Sequence, residues 1–203
     1  MKITKAQFIK SVSNYNDLYK SDYSEIAFVG RSNVGKSSLI NLISNNRKLA
    51  KTSSLPGRTR LINYFLINDS FMLVDLPGYG YAKASKQEQE KWGDLLDKYL
   101  TTSKNLKCIY MLLDVRHLPT EKDLQMVNYL YFYKIPTIFV LTKCDKLSRA
   151  QVGSQRQKIA AALKIASGNL IATSAQDKSG VEPLLQSIEE RLSANLDAKI
   201  DEE

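Results

Sequence analysis

The chain has 203 residues, 43% of them hydrophobic, with 29 lysines and arginines against 21 acids. That is enough apolar content for one domain spanning 1–203, and no apolar run approaches the roughly 20 residues that cross a bilayer. Met1-Lys2-Ile3-Thr4-Lys5 lacks the apolar core of a signal peptide, so a cytoplasmic protein without membrane insertion is expected.

Charge is uneven. Asp197 to Glu203 holds four acids and one lysine, leaving a body of 28 basic and 17 acidic side chains, +11. Such an excess attracts polyanions, nucleic acid foremost, or serves solubility alone. Cys108 and Cys144 have neither CxxC spacing nor a neighbouring histidine, which points to reduced structural thiols.

In chain order, residues 1–22 read as an N-terminal extension, expected to be mobile like the acidic tail at 195–203. An apolar strand at 26–29 runs into a glycine-rich loop, and a helix is expected from Ser37 to about Arg47. Strands at 62–67 and 71–74 flank Asn68-Asp69-Ser70, a hairpin signal. Trp92, Leu95, Leu96, Tyr99 and Leu100 follow helical spacing, as do Leu124, Val127, Leu130 and Tyr131. Strands at 108–113, 137–141 and 170–173 alternate with these, with a helix from about Ala150 to Ala166 and another on Val181, Leu184, Leu185, Ile188 and Leu192. The pattern predicts an α/β three-layer fold. Its six-stranded sheet is mostly parallel with one antiparallel edge strand, helices cover both faces, and the ligand site lies at the carboxyl ends of the strands.

The loop after the first strand reads Gly30-Arg31-Ser32-Asn33-Val34-Gly35-Lys36-Ser37, followed by Ser38. Glycines at both ends let the backbone curl around phosphate so that N–H groups point inward, toward the positive end of the following helix. Lys36 is expected on the β- and γ-phosphates and Ser37 on Mg²⁺. The strand at 71–74 delivers Asp75-Leu76-Pro77-Gly78. Asp75 suits Mg²⁺ through water, and the Gly78 N–H suits a γ-phosphate. Thr142-Lys143-Cys144-Asp145 ends another strand. A fixed carboxylate at Asp145 accepts from guanine N1–H and N2–H₂, a donor pair that adenine lacks. The methylene stem of Lys143 can lie on the purine face, and Ser174-Ala175-Gln176 can place a backbone N–H at guanine O6. The order of these four elements points to GTP over ATP.

At this level of detail the chain resembles the phosphate-loop GTPases, in the translation-factor-related branch that contains Era-type proteins. The combination Gly-Arg-Ser-Asn-Val-Gly-Lys-Ser, Pro56-Gly57-Arg58-Thr59-Arg60, Asp75-Leu-Pro-Gly-Tyr-Gly-Tyr-Ala82 and Thr-Lys-Cys-Asp is similar to the EngB (YihA/YsxC) family of bacterial GTPases, over nearly the whole chain. The resemblance implies that Gly57, Arg58 and Thr59 lie in the first switch, with the Thr59 hydroxyl closing on Mg²⁺ and the γ-phosphate. Lys36, Thr59 and Gly78 are then the residues of hydrolysis. The resemblance also implies a role in assembly of the large ribosomal subunit, needed for normal cell division and septation, with the subunit or its rRNA as partner to a monomer. A recruitment module for a division or membrane partner is the alternative.

Tyr79 stands where Ras-like enzymes carry a water-orienting glutamine, so slow intrinsic hydrolysis is expected, accelerated by a partner or an ion. Related GTPases use an asparagine at the place of Asn33 to help bind K⁺, and a loop amide bracing its own turn is the competing role. Arg31, Arg58 and Arg60 are candidates for transition-state charge or for surface and RNA contact. Tyr79, Tyr81, Lys83 and Lys86 suit either an RNA-facing surface or helix packing, and His117 reads as a loop residue.

Overall fold

A computed structural model describes residues 1–50, 61–80 and 86–194, with 86–92 given as helical backbone. Twelve main elements follow in order: β1 (Ala6–Val12), β2 (Ser24–Gly30), α1 (Lys36–Ile43), β3 (Ile62–Ile67), β4 (Phe71–Asp75), α2 (Lys86–Thr102), β5 (Leu106–Asp114), α3 (Glu121–Phe132), β6 (Thr137–Thr142), α4 (Arg149–Leu163), β7 (Leu170–Ala172) and α5 (Val181–Ser193). Among the described residues the sheet has seven strands, in the order β1-β3-β4-β2-β5-β6-β7.

The α/β expectation holds, and one strand is added to it. β3 is antiparallel to both of its neighbours, while β4, β2, β5, β6 and β7 pair in parallel. β3 is therefore the antiparallel strand, but β1 covers its outer side and takes the edge. The N-terminal segment read as an extension is thus part of the sheet. Its register skips a residue between Phe8 and Lys10, leaving Ile9 as an extra residue, and this bulge breaks the alternation by which a strand is recognised.

Alternate side chains of each parallel strand enter opposite cores. Ala27 and Val29 of β2 pack with Leu95, Leu96 and Tyr99 of α2, Val127 and Leu130 of α3, and Ile159 and Leu163 of α4. Ile26 and Phe28 pack on the other face with Leu39, Ile40 and Ile43 of α1 and with Leu184 and Ile188 of α5. Full burial of each such aliphatic side chain is worth roughly 1.5–3 kcal/mol. Both faces being covered explains why the parallel strands read as continuous apolar runs. It also leaves the loops at their carboxyl ends as the place where polar groups gather.

Candidate functional site

β2 ends on Gly30 because nothing larger fits: a Cβ there would stand 2.9 Å from Val34 Cγ1 and 3.0 Å from the Leu112 carbonyl oxygen of β5. The loop then turns through Asn33, at φ 64°, and Gly35, at φ 105°. Such left-handed positions favour glycine and tolerate asparagine. Gly35 opens α1, its carbonyl accepting from the Leu39 N–H at 2.9 Å. Lys36 is buried in the first turn of that helix, and its Nζ is paired with the Asp75 carboxylate at the end of β4. Asn63 of β3 donates to the other Asp75 oxygen at 3.3 Å. Ser37, half-buried beside Lys36, therefore starts α1 next to a buried carboxylate, while Ser38 faces solvent.

The segment after Asp75 lies directly against the phosphate loop. A Cβ on Gly78 would come within 3.2 Å of the Ser32 nitrogen. The Tyr79 N–H donates to the Gly30 carbonyl at 3.3 Å, and the Ser32 N–H donates to the Tyr79 carbonyl at 3.0 Å. Arg31 and Tyr79 form an isolated parallel bridge. The Tyr79 side chain turns inward, 5% exposed, and its hydroxyl donates to Asp123 Oδ1 at 2.8 Å. Burial, reinforced by the Asp123 charge, pushes that phenol far above its ordinary range. Arg31 runs alongside, its Nε 3.4 Å from where a Cβ on Gly80 would sit.

On the other side, β6 ends on Thr142, whose hydroxyl donates to the Val34 carbonyl at 2.6 Å. Lys143 Nζ donates to the Asn33 carbonyl at 2.7 Å. The end of β6 thus grips the phosphate loop at two consecutive carbonyls. Asp145 follows in a short 3₁₀ turn, Cys144–Lys146, and its Oδ1 accepts from the Ser174 hydroxyl at 2.7 Å. That hydrogen bond first, and Lys146 second, hold the Asp145 carboxyl below the usual carboxylate range. Ser174 Oγ also accepts from the backbone N–H of Gln176 at 3.1 Å, so the exposed Ala175-Gln176 turn is tied to the same carboxylate.

The structure accordingly brings together Gly30 to Ser38, Asp75, Gly78, Thr142, Lys143, Asp145 and Ser174 to Gln176, at the carboxyl ends of parallel strands. Gly57, Arg58 and Thr59, with Arg60, Tyr81 and Lys83, lie outside the described residues. His117 sits in the turn after β5, its N–H donating to the Asp114 carbonyl at 3.1 Å, as a loop residue should. Three contributors were not singled out from sequence. Asn63 reaches Asp75 from β3, Asp123 receives Tyr79 from α3, and Asp114 pairs with Lys143 from β5. Only Asp114 had a usable signal, an acid closing an apolar strand with an arginine two residues on.

A parallel sheet closed by helices on both faces, a glycine loop entering α1, and an acid-bearing strand end linked to that loop define a phosphate-loop GTPase. The sequence model for the family described as 50S ribosome-binding GTPase matches residues 25–143. A probable GTP-binding protein EngB of Pelobacter propionicus is 49% identical over 180 residues, covering 89% of this chain and 90% of its own length. The corresponding protein of Clostridium kluyveri is 48% identical over 190 residues, with coverages of 93% and 96%. A crystal structure of a probable GTP-binding protein EngB superposes with a TM-score of 0.71 at 26% identity, covering 84% of this chain and all of that one. Aquifex aeolicus Era bound to GDP·AlF₄⁻ shares the fold at a TM-score of 0.66 and 22% identity, over 82% of this chain and 56% of Era. The chain belongs to the EngB family of GTP-binding proteins, and it is a GTP-hydrolysing enzyme.

Proposed function

We propose that this GTPase is a slow switch in assembly of the large ribosomal subunit, acting in the cytoplasm as a monomer and so supporting normal cell division and septation. The description of its family, a 50S ribosome-binding GTPase, supports the partner, and a body of +11 charge suits an rRNA-rich surface. No helix among the described residues is long and apolar enough to cross a membrane.

The observation that carries the nucleotide reading is the Asp145 carboxylate, held charged and oriented by Ser174, at the same end of the sheet as a loop that turns through left-handed Asn33 and Gly35 into α1. One Asp145 oxygen is fixed by Ser174, and the carboxylate takes guanine N1–H and N2–H₂. The Ala175 or Gln176 N–H meets O6, and the Lys143 stem covers the purine. Gly30 to Ser38 receive the phosphates. Lys36 exchanges Asp75 for β- and γ-phosphate oxygens, and Gly78 presents its N–H to the γ-phosphate from its seat on Ser32.

Hard oxygens fit Mg²⁺ here. The buried Asp75 carboxylate stands beside the first turn of α1, where Ser37 lies, and Thr59 completes the set by resemblance. Bound there, Mg²⁺ supplies charge neutralisation across the β- and γ-phosphates. In hydrolysis a water oxygen bonds to the γ-phosphorus as the bond to the β–γ bridging oxygen breaks, giving GDP and phosphate. Lys36 and Gly78 stabilise the charge that spreads over the leaving and equatorial oxygens. The Tyr79 hydroxyl is committed to Asp123, so residue 79 does not orient that water, and intrinsic turnover is slow.

Asn33 is exposed, and among the described residues its side-chain amide makes no hydrogen bond of its own, which leaves its oxygen available to K⁺. Equal GTPase rates in matched KCl and NaCl would remove that role.

The test of the whole reading is titration of GTP, GDP and ATP with Mg²⁺, with and without purified large subunits. Guanine selectivity coupled to subunit binding is expected. Guanine binding indifferent to subunits would favour a recruitment role elsewhere.

A further inference from the structure

We propose that Asp114, locked by Arg116, is a positioning residue that aims Lys143 and so joins the base-reading loop to the phosphate loop. The proposal rests on the reading above in which the Lys143 stem lies along the purine. Asp114 ends β5 directly beside Thr142 in the parallel register, so its side chain emerges next to Lys143. Both of its oxygens are fixed. Arg116 donates from Nε to Oδ1 at 2.9 Å and from Nη2 to Oδ2 at 2.7 Å, and the Arg116 backbone N–H adds a third bond to Oδ1 at 3.1 Å. A forked guanidinium on a carboxylate fixes orientation as well as distance. Arg116 is itself held, because its carbonyl accepts from Gln155 of α4 at 3.2 Å.

Onto this fixed carboxylate Lys143 places its ammonium, 3.0 Å from Asp114 Oδ2, while the same nitrogen donates to the Asn33 carbonyl at 2.7 Å. The backbone of Lys143 is left-handed, φ 61°, and its Cε lies 3.8 Å from where a Cβ on Gly35 would stand. The stem is thus drawn across the phosphate loop from a strained backbone at one end to two oxygen acceptors at the other. A lysine stem is ordinarily among the most mobile side chains. Here its freedom is removed before any ligand arrives, which is preorganisation of a binding surface. Burial alone would raise the Asp114 carboxyl, but the hydrogen bonds from Arg116 and Lys143 outweigh it and keep the group ionised across the physiological range.

The consequence is specific. Losing the Asp114 charge releases the lysine stem without touching Asp145, so guanine and hypoxanthine nucleotides should weaken together. Hypoxanthine keeps N1–H but lacks the 2-amino group that Asp145 also reads, so it separates stacking from the 2-amino contact.

The experiment measures dissociation constants for Mg²⁺-GTP and Mg²⁺-ITP on the full chain and on Asp114→Asn, Lys143→Ala and the double variant. Thermal unfolding of each is followed in parallel. Asp114→Asn is expected to weaken both nucleotides by the same factor, about five- to tenfold, and the double variant to bind no more weakly than Lys143→Ala. Arg116→Gln, which removes the forked guanidinium but keeps the Asp114 charge and the backbone N–H bond to it, should shift affinity the same way by less, and it serves if Asp114→Asn does not fold. Equal weakening by Asp114→Asn with and without Lys143 would overturn the positioning role in favour of a structural one. Weakening by Lys143→Ala with none from Asp114→Asn would remove the positioning role alone. If Lys143→Ala leaves both affinities intact, the reading of the lysine on which the proposal rests falls with it.

Discussion

Tyr79 and Asp123, 44 residues apart, share a buried hydrogen bond of 2.8 Å that fastens the residue after Gly78 to the first turn of α3. Asp123 is otherwise occupied by its own helix start: its Oδ2 accepts from the Thr120 backbone N–H and from the Thr120 hydroxyl, both at 2.7 Å. One carboxylate therefore caps α3 and anchors the segment that carries Gly78 over the phosphate loop.

Replacing Tyr79→Phe removes the donor and leaves a buried carboxylate one partner short. A hydrogen bond to a charged group is worth about 1.5–3 kcal/mol, so denaturant unfolding should show a loss of that order. The intrinsic GTPase rate should stay within about threefold of the parent, since the hydroxyl is already committed to Asp123. A rate loss of a hundredfold, about 2.7 kcal/mol of barrier, would place the phenol in the chemistry and overturn this arrangement.

Asp145→Asn should exchange the base preference. Xanthine carries a carbonyl in place of the 2-amino donor, and an amide can donate to it where a carboxylate cannot. GTP affinity is expected to fall roughly 10²-fold, as two hydrogen bonds to a charged acceptor are lost, while XTP affinity rises. The amide oxygen still accepts from Ser174 Oγ, so the loop keeps its shape. Competition binding with GTP and XTP decides it, and an unchanged preference for GTP would reject the assignment.

What could be read in advance divides by range. The phosphate loop is local: two glycines, a lysine and a serine between a strand and a helix carry their reason within eight residues. Asp145 and Ser174 are 29 residues apart, yet each closes an apolar strand, and parallel topology returns strand ends to one place. Tyr79–Asp123 and Asn63–Asp75 have no such rule, because their meeting depends on how α3 and β3 pack. β1 was hidden by its bulge at Ile9, since a strand with an extra residue loses the alternation that identifies it.

Two glycine substitutions should move stability in opposite directions. Gly180 opens α5 at φ 71°, and a Cβ there would lie 1.8 Å from the Ala172 carbonyl oxygen, so Gly180→Ala must push α5 away from β7. It should destabilise by more than about 3 kcal/mol, the range of overpacking combined with backbone strain. Guanine nucleotide affinity should fall with it, because the Ser174 N–H is held by the Ser179 carbonyl at 3.0 Å in the same turn. Gly153 sits on the exposed side of α4 with nothing near a new Cβ, so Gly153→Ala should stabilise by about 0.5–1 kcal/mol. Thermal unfolding of both variants checks the pair, and a tolerated Gly180→Ala would contradict the close approach.

Glu25 gives stability a pH dependence of unusual sign for an acid. It is buried at the start of β2, where its Oε2 accepts from the Tyr99 hydroxyl at 2.9 Å and the Ser103 hydroxyl at 2.7 Å, tying the end of α2 to the sheet. Burial raises its pKa above 4.5, and the two hydrogen bonds only partly offset that. The folded state then holds the proton more tightly than the unfolded chain does. This contribution is fully present below about 4.5 and is lost as pH rises through the folded value, by about 1.4 kcal/mol for each unit the carboxyl is raised. Asp114 works in the opposite sense and in a separate window. Its pKa is lowered, because Arg116 and Lys143 outweigh its burial, so its contribution is lost only as pH falls below its ordinary 3.8. Glu25→Gln keeps an oxygen acceptor for Tyr99 and Ser103 but cannot ionise. Its stability relative to the parent should therefore climb from pH 4.5 toward pH 7, read as diverging urea midpoints. Parallel midpoints across that range would mean that the Glu25 carboxyl titrates alike in the folded and unfolded chain.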